Sequence, residues 1–261
     1  MRISLRKTSL NDYPGKVSSV FFFSGCNLRC PWCHNPELVL GTADCISLEE
    51  GLIHLRKRKS VLGGVVLSGG EPCLYEGLGS LINEIKKLGL PVKLDTNGMC
   101  PDRLEELFQK EETHPDYIAL DLKLAPSRYS ELVLPAQNSS HEDIACKQTK
   151  AQGEKLIKSA ATPGEKLIRS AELIKKSGIA HEYRTLVLPG GYISEKDIEE
   201  LAPLTDGAPW FFRLFRGGNC LDPAWNDLEE RADKISIFSE ALAAKAKALG
   251  KMIILPKSNV S

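Results

Sequence analysis

Residues 17–36 read VSSVFFFSGCNLRCPWCHNP, and their two halves ask for different things. The first eight, 17–24, are β-branched, aromatic and small, the composition of a strand covered on both faces. The chain then runs directly into Cys26, Cys30 and Cys33. This C-x3-C-x2-C spacing gathers three thiols in one short turn, enough to hold three corners of a four-iron cluster and leave the fourth iron without a protein ligand. Clusters that only carry electrons usually take four thiolates, whereas a vacant coordination position is where a cosubstrate binds, as at open catalytic zinc sites. Zinc fits less well, because Cys30, Cys33 and His34 have no second well-spaced pair downstream. A disulfide framework fits worse: eight cysteines in 261 residues are sparse. The other five, Cys45, Cys73, Cys100, Cys146 and Cys220, are scattered singly and receive no role.

Outward from this stretch the same unit repeats. Residues 47–59 are expected as a helix, with Ser47 as N-cap and Glu50 three positions on, so strand, loop and helix follow in order. Further strands are expected at 65–68, 92–95, 117–123, 181–188 and 210–215. Helices are expected at 78–88, 102–110, a long stretch ending near 176, 194–201 and 228–249. Six strands alternating with helices imply a parallel sheet with right-handed crossovers, either open and doubly wound or curved into a partial barrel. Both architectures bind ligands beyond the carboxyl ends of the strands. The conspicuous polar groups fall at those ends: the cysteines, Gly69-Gly70-Glu71-Pro72, Asp95-Thr96-Asn97-Gly98, Asp121-Leu122-Lys123, the run from Arg184, and Arg216-Gly217-Gly218-Asn219.

Composition bounds the rest. At 42% hydrophobic the chain can bury a full core, and residues 1–261 are expected as a single domain. The 34 basic and 34 acidic side chains cancel, so net charge calls for neither nucleic acid nor an anionic membrane. No apolar run approaches the roughly 18 residues that span a bilayer, and the N-terminus lacks the hydrophobic segment of an export signal. A low-oxygen cytoplasm is therefore expected. Residues 135–165 read as a surface insert, with 135–149 as a variable loop. Nearby, within 152–171, GEKLIKSA at 153–160 returns as GEKLIRSA at 164–171, an 11-residue period close to three helical turns, although Pro163 argues for a break between the copies.

Taken together, GCNLRCPWCHNPEL, SGGEP, LDTNG, ALDLK and RTLVLPG resemble the radical S-adenosylmethionine (radical SAM) activating enzymes of glycyl radical proteins. The likeness is greatest to the group that activates anaerobic ribonucleoside-triphosphate reductase, which KTSLNDYPGKVSSVFF and GGNCLDPAWND also match. The resemblance implies an α/β fold, a partial (β/α)6 TIM-like barrel of the radical SAM type, with parallel strands and outer helices. It implies one [4Fe-4S] cluster on Cys26, Cys30 and Cys33, since no further C-x2-C pairs occur between His34 and Gly69, and S-adenosylmethionine at the open iron. Trp32 would lie by the adenine, with His34 and Asn97 nearby, and Gly69 and Gly70 would let the backbone approach the methionine moiety. Glu71 would sit near its amino group, Lys123 and Arg184 would face its carboxylate and ribose, and Arg216 would add a contact. Lys123 joins the three cysteines in the expected catalytic set. Asp95, Thr96 and Asp121 match positions that in some activases surround a monovalent cation.

The activity implied is reductive cleavage of S-adenosylmethionine to a 5′-deoxyadenosyl radical, which takes hydrogen from a glycine of a partner protein. Anaerobic ribonucleotide reductase is the expected partner, and flavodoxin or ferredoxin the expected one-electron donor. The alternatives are a glycyl radical partner of the pyruvate formate-lyase type, a radical SAM enzyme acting on a small molecule, such as a tRNA-precursor ring-contracting synthase, and a non-enzymatic iron-sulfur protein.

Overall fold

A computed structural model describes residues 2–133, 161–228 and 232–255, with side chains at 232–238 left out of the description. Residues 135–160, which hold most of the expected insert, Cys146 and the first copy of the repeat, lie outside the described residues.

The strands are β1 (Arg2–Tyr13), β2 (Lys16–Phe23), β3 (Ile46–Ser47), β4 (Gly64–Gly69), β5 (Val92–Thr96), β6 (Tyr117–Asp121), β7 (His181–Val187), β8 (Trp210–Leu214) and β9 (Ile253–Ile254). The helices are α1 (Pro36–Leu40), α2 (Leu48–Arg58), α3 (Leu78–Lys87), α4 (Pro101–Leu107), α5 (Pro163–Ser177), α6 (Glu195–Leu201) and α7 (Ala232–Ala248). All nine strands form one sheet in the order β3-β1-β2-β4-β5-β6-β7-β8-β9. From β2 through β4, β5, β6, β7 and β8 every pairing is parallel, so the six expected strands are the observed ones and the α/β barrel-type fold holds.

Two edges were not expected. β1 folds back antiparallel on β2 around Gly15, whose φ of 69° suits the turn, and β9 adds a short parallel strand beside β8. β1 escapes a period-2 reading because its polar residues face outward on both sides of two register shifts, with Ile3, Ser9 and Tyr13 buried at unequal intervals.

Helix starts follow their capping residues. The Ser47 hydroxyl accepts from the Glu50 N–H at 3.2 Å, and the Glu50 carboxylate accepts from the Ser47 N–H at 2.8 Å. Thr162 and Glu165 cap α5 in the same way, with Pro163 in the first helical turn, where its missing N–H costs nothing. The second copy of the repeat is thus the start of α5, and Pro163 marks a helix boundary.

Strand alternation divides the core. Phe21, Leu67, Leu94, Leu120 and Trp210 point outward and are sealed under the helices. The opposite face begins with a small apolar floor of Tyr13, Val20 and Val66, against which Phe22 and Tyr117 pack. Above that floor the inner face turns polar: Lys93 and Asp95 from β5, Asp121 from β6, and Glu182 and Arg184 from β7.

Candidate active site

A cavity of about 370 Å³ opens at the carboxyl ends of the parallel strands. It is lined by Cys26, Cys30, Cys33, Trp32, His34, Gly69, Gly70, Glu71, Asp95, Thr96, Asn97, Asp121, Lys123 and Arg184. Arg216 is the one expected site residue that does not line it; that side chain is exposed past the end of β8. Arg213 lines the cavity in its place, because it alternates with the outward-facing Trp210 and Phe212.

The cysteine loop is held from several sides. The Cys33 N–H donates to the Cys30 carbonyl at 3.0 Å, closing the turn, and the Arg29 N–H donates to the Leu132 carbonyl at 2.8 Å. From the far end of the chain, the N–H groups of Leu221 and Asp222 donate at 2.9 Å to the carbonyls of Cys33 and Pro31. The Cys26 sulfur receives the Leu28 N–H at 3.4 Å and the Asn97 amide at 3.7 Å. Burial pushes the Cys26 thiol up to about 12 and the Cys30 thiol up to about 11, the latter against the pull of Lys123. Bare, these groups are therefore protonated at neutral pH, and binding iron must release their protons. Three thiols lining one cavity, with N–H donors aimed at the Cys26 sulfur, are the donor set a three-thiolate cluster needs. Among the described residues no three His, Cys, Asp or Glu side chains are already drawn together as a set that could hold a metal ion, so the cysteine loop would have to tighten around whatever it binds.

The two glycines also serve the packing of the backbone itself. A Cβ on Gly70 would lie 1.9 Å from the Gly25 carbonyl oxygen, and one on Gly69, at φ 119°, would lie 2.3 Å from the Phe23 nitrogen. Both are bare because the end of β4 presses on the entry to the cysteine loop, where the Gly70 and Glu71 N–H groups donate at 2.9 Å to Phe23 and Gly25. Glu71 is likewise turned inward. Its carboxylate accepts from the Thr96 hydroxyl at 2.8 Å, the Asn97 N–H at 2.7 Å and the Cys73 N–H at 3.1 Å, and burial raises its pKa. In this arrangement it ties the ends of β4 and β5 together, leaving neither oxygen without a protein donor.

The acidic groups deeper in the barrel face cations. Asp95 lies 2.5 Å from the Lys93 Nζ and 2.6 Å from an Arg184 Nη, and Asp121 lies 3.1 Å from the Lys123 Nζ. The Arg184 Nε is 3.5 Å from both Asp121 and Glu182, and the Tyr117 hydroxyl donates to Glu182 at 3.0 Å. Burial alone would raise the Asp95 and Asp121 carboxyls, but Arg184 with Lys93, and Lys123 with Arg184, hold them below the usual range.

An aromatic cluster backs Trp32 and His34 at the edge of the site. The Trp32 ring lies 5.3 Å from both Tyr192 and Trp225, Trp225 meets Phe215 at 5.9 Å, and Phe215 stacks on His34 at 5.3 Å. Trp32 and His34 were expected at the site. Tyr192, Phe215 and Trp225, which support those two rings without lining the cavity, were not, because nothing in the sequence shows that these distant segments pack against the cysteine loop.

The profile of the Radical SAM superfamily matches residues 20–203. A Methanocaldococcus jannaschii protein named a "putative glycyl-radical enzyme activating enzyme" is 33% identical over 192 residues, covering 73% of this chain and 69% of its own length. The pyruvate formate-lyase-activating enzyme of Clostridium pasteurianum is 35% identical over 127 residues, and the match takes in 46% of this chain and about half, 51%, of that enzyme. Among solved structures, Streptococcus suis SuiB bound to its precursor peptide SuiA superposes with a TM-score of 0.61 at 13% identity, over 92% of this chain and 48% of SuiB. A radical SAM methyltransferase from Sphaerobacter thermophilus superposes with a TM-score of 0.57 at 14% identity, over 97% and 76% of the two chains. At these identities the superpositions speak for the fold.

Proposed function

The chain belongs to the radical SAM superfamily, in its glycyl-radical enzyme activating branch, and from that premise we propose that it cleaves S-adenosylmethionine and takes hydrogen from a glycine of a partner protein. The observation that carries this reading is the meeting of Cys26, Cys30 and Cys33 with the polar ends of the next four strands around one cavity. Cys26, Cys30 and Cys33 would hold a [4Fe-4S] cluster. When bound, that cluster supplies one electron to the sulfonium of S-adenosylmethionine and so releases methionine and a 5′-deoxyadenosyl radical. The protein's part is to orient the cosubstrate and keep water away. Lys123 and Arg184 offer charged donors for its carboxylate and ribose, Trp32 offers an aromatic surface for the adenine, and His34 and Asn97 flank the same space. Arg213, not Arg216, adds positive charge at the rim. Glu71 lines the same cavity, and its carboxylate or the backbone carbonyls nearby would receive the amino group.

Anaerobic ribonucleotide reductase is the proposed partner, on the sequence resemblance, with flavodoxin or ferredoxin as electron donor in the cytoplasm, and the chain is proposed as a single domain. A second reading, a partner of the pyruvate formate-lyase type, draws on the similarity to pyruvate formate-lyase-activating enzymes. Among the described residues no helix is long and apolar enough to cross a membrane. Anaerobic reconstitution with iron and sulfide, followed by S-adenosylmethionine and dithionite, tests the chemistry: 5′-deoxyadenosine is expected from the wild type and none above background from Cys30→Ala. Equal yields from both would overturn the reading.

A further inference from the structure

The resemblance implies a monovalent cation against Asp95, Thr96 and Asp121, and these residues do not fit one. The Thr96 hydroxyl donates to Glu71 at 2.8 Å and accepts from the Gly98 N–H at 3.2 Å and the Cys73 thiol at 3.6 Å, which uses its one donor and both lone pairs. Asp95 Oδ1 is shared between Lys93 at 2.5 Å and Arg184 at 2.6 Å, and Asp121 is paired with Lys123 at 3.1 Å. With Glu182 beside Arg184, three carboxylates meet three cations, and their formal charges cancel. A sodium or potassium ion would bring a fourth positive charge beside the largely buried Lys93 and Arg184, where such an excess is costly.

We infer that Lys93 is this chain's built-in cation: with Arg184, its ammonium holds Asp95 in place of a bound monovalent ion, so that S-adenosylmethionine binding needs no added sodium or potassium. The inference rests on the function proposed above for the same site. Lys93 stands two residues before Asp95 on β5, so strand alternation puts both side chains on the inner face. Its residue is 1% exposed, and Asp95 is the acidic partner that makes a lysine there tolerable. Lys93 does not line the cavity, whereas Asp95 does. The ammonium therefore neutralises Asp95 from beneath, and the charge balance is in place before any ligand enters. Lys93 is a positioning residue in this scheme, acting through Asp95.

The test is the affinity of cluster-loaded enzyme for S-adenosylmethionine, by equilibrium dialysis in potassium or sodium chloride against tetramethylammonium chloride at equal ionic strength. The wild-type Kd is expected to be the same in all three salts. Lys93→Gln, which leaves Asp95 short of a cation, is expected to bind on the order of tenfold more weakly in tetramethylammonium and to recover in potassium or sodium, within the usual range of coupling between two bound species. A wild-type Kd that tightens on the order of tenfold with potassium or sodium overturns the inference, as does a folded Lys93→Gln protein indifferent to salt. If Lys93→Gln does not fold, the wild-type comparison decides alone. Should loaded wild type bind no S-adenosylmethionine in any salt, the proposed function fails, and melting of the cluster-free protein then decides separately. There, equal wild-type Tm values in the three salts support the built-in cation, and stabilisation specific to potassium or sodium refutes it.

Discussion

Glu71 and Asp95 are carboxylates at the ends of adjacent strands, both shielded from water, and they are held in opposite ways. Glu71 meets only neutral donors, two backbone N–H groups and a hydroxyl, and burial raises its pKa. Asp95 meets an ammonium and a guanidinium, which overcome burial and lower it. The rim of the barrel is thus shaped by hydrogen-bond geometry, while the layer beneath is fixed by paired charge. Geometry sets where the cysteine loop lies, and the charge layer sets what the cavity floor offers an incoming zwitterion.

Breaking the charge layer should cost most. Asp95→Asn leaves Lys93 buried without its acidic partner and is expected to destabilise the fold by about 3–5 kcal/mol, read from urea unfolding. At the rim, Glu71→Gln keeps the shape but turns an amide donor toward groups that already donate, and the expected loss is about 1–3 kcal/mol by the same measurement. A loss for Glu71→Gln larger than for Asp95→Asn would reverse the proposed division. Acid melts sharpen it. Asp95 and Asp121 have folded pKa values below their unfolded ones, so the stability they contribute is complete above the unfolded value of about 4 and is lost as pH falls through the folded values. Glu71 has the opposite sign: its raised pKa costs stability as pH rises past its unfolded value, and acid relieves that cost. The drop in Tm between neutral pH and pH of about 3 should therefore shrink in Asp95→Asn and grow in Glu71→Gln. The smallest effect is expected at the aromatic cluster. Trp225→Ala removes the ring beside Trp32, worth about 1 kcal/mol for such a pair, and should raise the KM for S-adenosylmethionine about fivefold with kcat nearly unchanged.

Much of the rim was legible in the sequence because parallel strands end in turn-forming residues, and the motifs at 69–72, 95–98 and 121–123 stand directly after short, mostly apolar runs. The charge layer was less so. Lys93 in PVKLDT was given no role; it is buried on the inner face beside Asp95, and no local pattern carries that information. Arg213 and Arg216 differ by whether the strand's alternation still applies, a distinction that needs the end of β8 to within a residue. Gly69 and Gly70 line the cavity as expected, but their close packing on Phe23 and Gly25 was not legible, since a glycine pattern does not say which backbone comes close. Trp225 and Tyr192 reach Trp32 across the whole fold, and β1 hides behind two register shifts.

The central claim is that one cavity joins an open iron-sulfur site to hydrogen abstraction from a protein glycine. Its most direct test is electron paramagnetic resonance of the reconstituted, reduced enzyme with S-adenosylmethionine and either an anaerobic ribonucleotide reductase or a pyruvate formate-lyase-type protein. The account predicts a glycyl doublet on one of them, strongest on the reductase, in step with 5′-deoxyadenosine. A fully loaded cluster that yields no doublet and no 5′-deoxyadenosine would contradict it.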